Sequence, residues 1–294
     1  MSHRLLVLGA TGRIGSLVVK ELAGQGLSVG GLVRDAGRAA SMWPQNVKPV
    51  VGTFGDPASV ATAMEGVEVV LVASPVHPEM ASWQCGAVQA AAHAGVRRIV
   101  KLSGSAWTME EGRATTVGAA HAQVETMMRS LQETNGLECI CIRPNAFLQG
   151  MLGRVGGELA SGDTFSLAIG DAAVAFADIR DIAAACAHAM SAASAPPVIE
   201  VTGPEAMDGM RIAALLGQTL ARPIRYNPLG IDEAMARARA GGMPEFTLRH
   251  QKEVLTLLRE GAGSRTSTDF RDLLGRPTRA VDHYLDEVSV QLKK

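Results

Sequence analysis

Apolar residues follow two rhythms along this chain. In the first half, short continuous runs such as Leu5-Leu6-Val7-Leu8 alternate with longer stretches in which apolar positions recur every three or four residues. Continuous runs fit strands buried on both faces, and the longer rhythm fits the amphipathic helices that cover them. The pattern predicts strands at 5–8, 27–33, 47–51, 67–73, 98–102 and 137–142, with helices at about 12–21, 57–65, 79–94 and 115–135. Asp56-Pro57 offers a side-chain cap followed by proline at the first helical position. Gly66, Gly95 and Gly136 stand where helices should end. Strands alternating with helices imply a parallel sheet with right-handed crossovers, whose strand C-termini share one edge.

Beyond residue 150 the rhythm loosens. Residues 151–170 hold five glycines and read as an excursion from the sheet. Residues 173–190 read as a return, a strand and then a helix starting near Asp178 or Asp181, followed by a strand at 198–201. Helices are expected at about 208–221, 232–240 and 245–260, with a short strand at 224–226 and a charged terminal helix. The expected fold class is α/β: a Rossmann-type doubly wound parallel sheet with a smaller, mostly helical C-terminal substrate lobe. The dinucleotide-binding domain spans 1–150, with 173–201 returning to it, and the substrate lobe takes the rest of 151–294.

The first strand runs into Gly9-Ala10-Thr11-Gly12-Arg13-Ile14-Gly15, three glycines at three-residue intervals. Gly9 suits a tight turn, Gly12 lets backbone approach a pyrophosphate, and Gly15 lets the helix pack on the strand. Uncapped N–H groups in the first helical turn and the helix dipole attract the phosphates. A glycine triplet alone is weak; here it sits between a strand and a helix carrying Val18, Val19 and Leu22, which is the context a nucleotide site needs.

Composition narrows the partners. Lysine and arginine total 28 against 29 acidic residues, so no one-signed field draws nucleic acid or anionic membrane. Aromatics are only 4%, too few for base-stacking platforms. No apolar stretch reaches the ~18 residues of a membrane span, and a first strand beginning by Arg4 leaves no room for a leader, so a cytoplasmic location is expected. Cys85, Cys139, Cys141 and Cys186 show no zinc-like spacing with histidine, and no metal is expected.

Taken in order, several segments resemble the NmrA-like branch of the atypical short-chain dehydrogenases/reductases. They are the glycine loop, Leu32-Val33-Arg34-Asp35, Val50-Val51-Gly52-Thr53-Phe54-Gly55-Asp56, and Gly95 through Ser103. The helix with His121 and Glu125, Ile142-Arg143-Pro144-Asn145-Ala146-Phe147, Ala177 through Ala183, and Val201-Thr202-Gly203-Pro204-Glu205 continue the series. The resemblance reaches about residue 220. It implies either an NADPH-dependent reductase of quinones, azo compounds or dyes, or a co-regulator that binds the dinucleotide without turning it over. It also implies that Thr53 and Phe54 flank the adenine, that Ala73, Ser74 and Pro75 line the ribose and pyrophosphate, and that Pro144 and Asn145 bound the nicotinamide face. His77, in the loop after the fourth strand, and Phe147 are the substrate-contact candidates.

Charge speaks to cofactor choice. An NAD site usually presents a carboxylate about twenty residues past the glycine loop. Here the second strand ends on Arg34, with Asp35 one place later. Arg34 suits a forked grip on a 2′-phosphate, with Arg13 and, more weakly, Arg38 as helpers, so NADP(H) is preferred over NAD(H). Asp35 accepting from the ribose would leave dual specificity open.

Most members of the superfamily carry Tyr-x-x-x-Lys on the helix after the fifth strand. Residues 117–125 contain neither residue, and the chain's two tyrosines, Tyr226 and Tyr284, lie far downstream. Lys101, Ser103, Ser105 and His121 remain near the expected hydride site. Lys101 and Ser103 share a strand face, and each has a second reading: a lysine snorkelling from the sheet edge, and a serine closing the strand's hydrogen bonds. His121 is either a proton donor or the partner of Glu125 one turn on. His3, His93, His188, His250 and His283 read as helix or surface residues. The expected activity is hydride transfer from NADPH to an electron-poor planar acceptor, a small-molecule substrate; the alternative is an NADP(H)-sensing regulator with a protein partner.

Overall fold

A computed structural model describes residues 4–292. His3 and the side chain of Arg38 lie outside the described residues. The first half runs β1 (Leu5–Leu8), α1 (Arg13–Gly24), β2 (Val29–Val33), α2 (Ala36–Met42), β3 (Val47–Val51), α3 (Pro57–Ala63), β4 (Val69–Val72), α4 (Met80–His93), β5 (Arg98–Leu102), α5 (Thr116–Asn135) and β6 (Glu138–Pro144). The second half runs α6 (Leu148–Met151), α7 (Val155–Ala160), β7 (Thr164–Leu167), α8 (Ile179–Ser191), β8 (Val198–Val201), α9 (Gly209–Leu220) and β9 (Arg225–Pro228). It closes with α10 (Ile231–Ala240), α11 (Glu245–Arg259), α12 (Asp269–Leu274) and α13 (Val281–Leu292).

Seven strands form one sheet in the order β3-β2-β1-β4-β5-β6-β8, and the pairs from β3 through β6 are parallel. The order reverses at β1, with β2 on one side and β4 on the other, so the Gly9 turn leaves the sheet at its switch point. Every residue of β1 and β4 is buried, as strands covered on both faces require. The expected Rossmann-type sheet is present. Asp56 caps α3 by accepting from Ala58 N at 3.1 Å, and Gly66, Gly95 and Gly136 adopt positive φ of 73°, 75° and 66°.

Three expectations need correction. The helix α2 went unforeseen because Ala36-Gly37-Arg38-Ala39-Ala40 offers no apolar recurrence. The glycine-rich stretch after residue 150 contains α7 and β7, and β7 pairs with β9 in a separate two-stranded parallel sheet. The strand expected just before α8 is only two isolated bridges, Val174 to Met207 and Ala177 to Phe147, because loops and not strands face that run.

The chain divides into two compact units. The first takes residues 1–104, 117–143 and 180–199, and the second takes 105–116, 144–179 and 200–294. The second unit thus claims 105–116 from within the span expected for the nucleotide domain, and the return to the first begins at Arg180 and not near 173. Each unit has its own core. Leu6, Leu8, Val70, Val72, Val88 and Ile99 are fully enclosed in the first, and Leu148, Phe165, Val174, Phe176, Leu216 and Leu258 in the second. Among the described residues no helix is long and apolar enough to cross a membrane.

Arg98 ties the first unit together. It stands on β5 with no exposed surface. Its Nε donates to Glu138 at 2.6 Å, Nη1 to the carbonyls of Ala189 (3.0 Å) and Ala192 (2.6 Å), and Nη2 to that of Ala193 (2.9 Å). The last carbonyls of a helix lack intrahelical donors, and its C-terminal dipole favours a cation. Arg98 therefore caps the end of α8, whose alanines leave room for the guanidinium.

Candidate active site

Gly9 turns the chain with φ 78°, and a Cβ there would lie 2.2 Å from the Ala73 carbonyl oxygen. At Gly15 a Cβ would lie 2.2 Å from the Gly9 oxygen. These two glycines are demanded by the protein itself, one by its turn and both by backbone against backbone. Gly12 differs: it is exposed, and its nearest obstacle is the Gly9 oxygen at 3.2 Å. No side chain caps the start of α1 and its first turn holds no acidic residue; the Gly12 N–H is spent on the Gly9 carbonyl at 2.9 Å, and the first-turn N–H groups from Arg13 onward meet no side-chain acceptor among the described residues. Ala10 and Ile14 are buried, whereas Thr11 and Arg13 are exposed beside the turn. A cradle of free donors and small residues at a switch point fits a dinucleotide pyrophosphate. Gly12→Val should therefore cost the unliganded fold no more than about 1 kcal/mol, yet abolish the rise in melting temperature on adding NADPH. A variant that keeps the full rise would remove the phosphate from this turn.

The other strand ends carry the remaining candidates of the first unit. Arg34 is exposed after β2 and has no partner among the described residues. Thr53 is held by Ser59, whose hydroxyl accepts from Thr53 N at 3.1 Å. Phe54 stacks on Trp83 at 6.2 Å, and Trp83 stacks on His77 at 4.1 Å, so three rings line up beyond β3 and β4. His77 Nδ1 accepts from Glu79 N at 3.1 Å. Ala73 is buried against Gly9, Pro75 is exposed, and Ser74 Oγ accepts from Gln84 at 2.8 Å.

A charged network lies at the end of β5. Lys101 is wholly enclosed, between β4 and β6, which excludes the snorkelling reading. Its Nζ is 2.7 Å from His121 Nδ1 on α5, and it donates to the Leu102 carbonyl and Ser103 Oγ at 3.3 and 3.4 Å. Ser103 is buried and donates to Glu125 Oε1 at 2.5 Å, while its N–H closes the strand ladder on Ile142 O. Glu125 in turn takes a two-point grip from Arg143, at 3.2 and 2.5 Å. Burial alone would raise the Glu125 carboxyl, but hydrogen bonds from Arg143 and Ser103, with the charges of Arg143 and Lys101, hold it below the usual range. Burial pushes the Lys101 ammonium down from 10.5 to about 8, with Arg143 adding to the fall and Cys141, Glu125 and Cys85 opposing it. The Lys101 contact thus occupies His121 Nδ1. Arg143 was not foreseen as Glu125's partner: the two stand 18 residues apart on different elements, and spacing on one helix cannot reveal such a pair.

Four candidates fall in the second unit. Ser105 donates to the Pro144 carbonyl at 2.6 Å. Asn145 is buried, accepting from Trp107 Nε1 and Ala146 N at 2.9 Å each and donating to the Gly263 carbonyl at 2.9 Å. Phe147, 38% exposed, precedes α6. Tyr226 donates to the carbonyls of Gly170 (2.7 Å) and Leu167 (3.2 Å), and burial raises its phenol to about 12, as befits a structural donor.

Comparison with known proteins bears on the family and the fold. Residues 9–192 match the NAD(P)H-binding family. The chain is 29% identical to the NAD(P)H azoreductase of Xenophilus azovorans, over 95% of this chain and 96% of that protein. The NADPH-dependent quinone oxidoreductase QOR2 of Escherichia coli, in complex with NADPH, superposes with a TM-score of 0.82 at 22% identity, covering 97% of this chain and 99% of that one. NmrA, a negative transcriptional regulator, superposes with a TM-score of 0.76 at 16% identity, over 99% and 98% of the two chains. The chain shares the Rossmann-type fold of these two structures and belongs to the NAD(P)H-binding family.

Proposed function

We propose that this protein is an NADPH-dependent reductase of an electron-poor, planar organic acceptor of the quinone, azo or conjugated type. It is an oxidoreductase whose α5 carries no tyrosine and no lysine. The observation that carries the reading is the Lys101–His121 contact of 2.7 Å between β5 and α5. NADPH, when bound, supplies the hydride. The protein's own residues then have three tasks. The uncapped turn at Gly12 offers N–H donors to the pyrophosphate, and Arg34 forks onto the 2′-phosphate. Lys101, charged at neutral pH, donates to His121 Nδ1, so the neutral imidazole carries its proton on Nε2. The Nε2 proton passes to an anion formed on the acceptor while the Lys101 ammonium passes a proton to Nδ1, so the imidazole ends neutral and the charge given up is the lysine's. A stabilised anion of this kind needs orientation and dry surroundings more than a strong acid, whereas a simple alkoxide needs the missing tyrosine. The names of the azoreductase relative and the quinone oxidoreductase neighbour support this acceptor class.

The test is acceptor-dependent oxidation of NADPH across quinones, azo compounds and simple ketones. Turnover of the first two groups and not the third is expected, with His121→Ala lowering it by ~10²-fold. Tight NADPH binding without turnover of any acceptor would overturn the enzyme and favour a dinucleotide-sensing regulator. Cofactor choice is tested separately. Arg34→Ala should weaken NADPH by about 1.5–3 kcal/mol and leave NADH unchanged; equal losses in the two dissociation constants would refute the assignment.

A further inference from the structure

We propose that the second unit carries a small-molecule site of its own, for an apolar organic anion that also bears an N–H or O–H donor. Its residues line a half-open cavity of about 560 Å³, within the size range of ligand pockets. Leu167, Leu229, Met243 and Leu255 supply apolar wall, contributed by β7, the β9–α10 turn, the α10–α11 turn and α11.

Three charged side chains line the cavity, and two are already engaged. Glu158 accepts from Ser166 N at 2.7 Å. Arg237 pairs with Glu233 one turn back, also at 2.7 Å. Arg154 has no partner among the described residues, so one positive charge is left for an arriving anion. Gln251 supplies the second polar feature. Its amide oxygen is buried and has no hydrogen-bond partner among the described residues. Turning that amide toward the cavity forfeits no bond at the oxygen, while a ligand donor gives it one. A half-open, mostly apolar groove with one unmatched cation and one unmatched acceptor selects a matching chemistry: an apolar body, one carboxylate, sulfonate or phosphate, and one donor. The site is independent of the reductase reading, because binding is read without turnover.

The probe is 8-anilinonaphthalene-1-sulfonate, which combines an aromatic body, one sulfonate and one N–H. N-phenyl-1-naphthylamine has the same body and N–H without the charge. Both are titrated by calorimetry and fluorescence into the full-length folded protein with NADPH saturating, so that a dinucleotide site is not counted. One saturable sulfonate site is expected, about tenfold or more tighter than for the neutral amine. Arg154→Met should bring the two probes level, and Gln251→Leu should weaken both by several-fold with their ratio kept. Arg154 is exposed, so its variant keeps the fold and decides the matter even if the Gln251 variant does not fold. Equal affinity for the two probes in the unmodified protein, or sulfonate affinity unmoved by Arg154→Met, would overturn the proposal.

Discussion

Arg98→Ala destabilises the fold by about 3–5 kcal/mol, the cost of breaking a buried, hydrogen-bonded charge cluster. The guanidinium serves three carbonyls at the end of α8 and the Glu138 carboxylate at once. Each buried carbonyl stripped of its donor costs about 1–3 kcal/mol, and Glu138, 37% exposed on its side chain, recovers part of its share from water. Urea unfolding measures the total, and amide exchange locates it: protection should fall first over the last turn of α8. Arg98→Lys restores one charge but not the fork, and should recover less than half of the loss. A loss below about 1 kcal/mol for the alanine variant would mean that α8 is held by packing alone.

Lys101→Met should act in the opposite direction, raising stability at pH 7 by up to about 3 kcal/mol. The figure follows from a folded value of about 8 against an ordinary 10.5, at roughly 1.36 kcal/mol per unit. Below pH 8 both folded and unfolded chains carry the proton, and the folded protein bears the full desolvation cost. Between pH 8 and 10.5 the folded protein has lost a proton that the unfolded chain keeps, so this group's contribution to stability rises with pH. The advantage of the methionine variant is therefore largest at neutral pH and closes by about 10.5. Burial raises Cys139 to about 11 and Cys141 and Cys186 to about 12, which makes their contributions fall with pH above the ordinary thiol range. Only the difference between wild type and variant, taken at each pH, isolates the lysine. A constant gap across that window would refute the assignment. Turnover should move the other way, since His121 loses the donor at Nδ1: stability and chemistry are in opposition at this residue.

What could be read from the sequence was what local physics decides. The buried strands, the Asp56-Pro57 cap and the left-handed glycines at 66, 95 and 136 each depend on a few neighbouring residues. The Gly9 turn belongs with them. Lys101 was ambiguous because its strand's position in the sheet, and not its own sequence, puts it between β4 and β6. The partners of Arg98 lie 40 to 95 residues away, and no periodicity carries that information. Asn145 presents the same difficulty, since its amide is engaged by Trp107 and by Gly263, 118 residues on. The glycine count after residue 150 misled for a different reason. Gly153, Gly156 and Gly157 flank or enter a short helix whose buried Val155 and Leu159 provide the stabilising contacts.

The interleaving of the two units governs how the protein comes into being. The polypeptide changes unit after residues 104, 116, 143, 179 and 199, five times in all. During translation, at about 5–20 residues per second, the first unit has to wait for its last segment until residue 199 has emerged. Until then Arg98 has been made but the carbonyls of Ala189, Ala192 and Ala193 have not. A fragment ending near residue 150 would carry a buried cation with no helix end to receive it. Evolution thus cannot exchange one lobe for another by a single cut and join; new specificity in this architecture has to be written residue by residue into segments that thread both bodies.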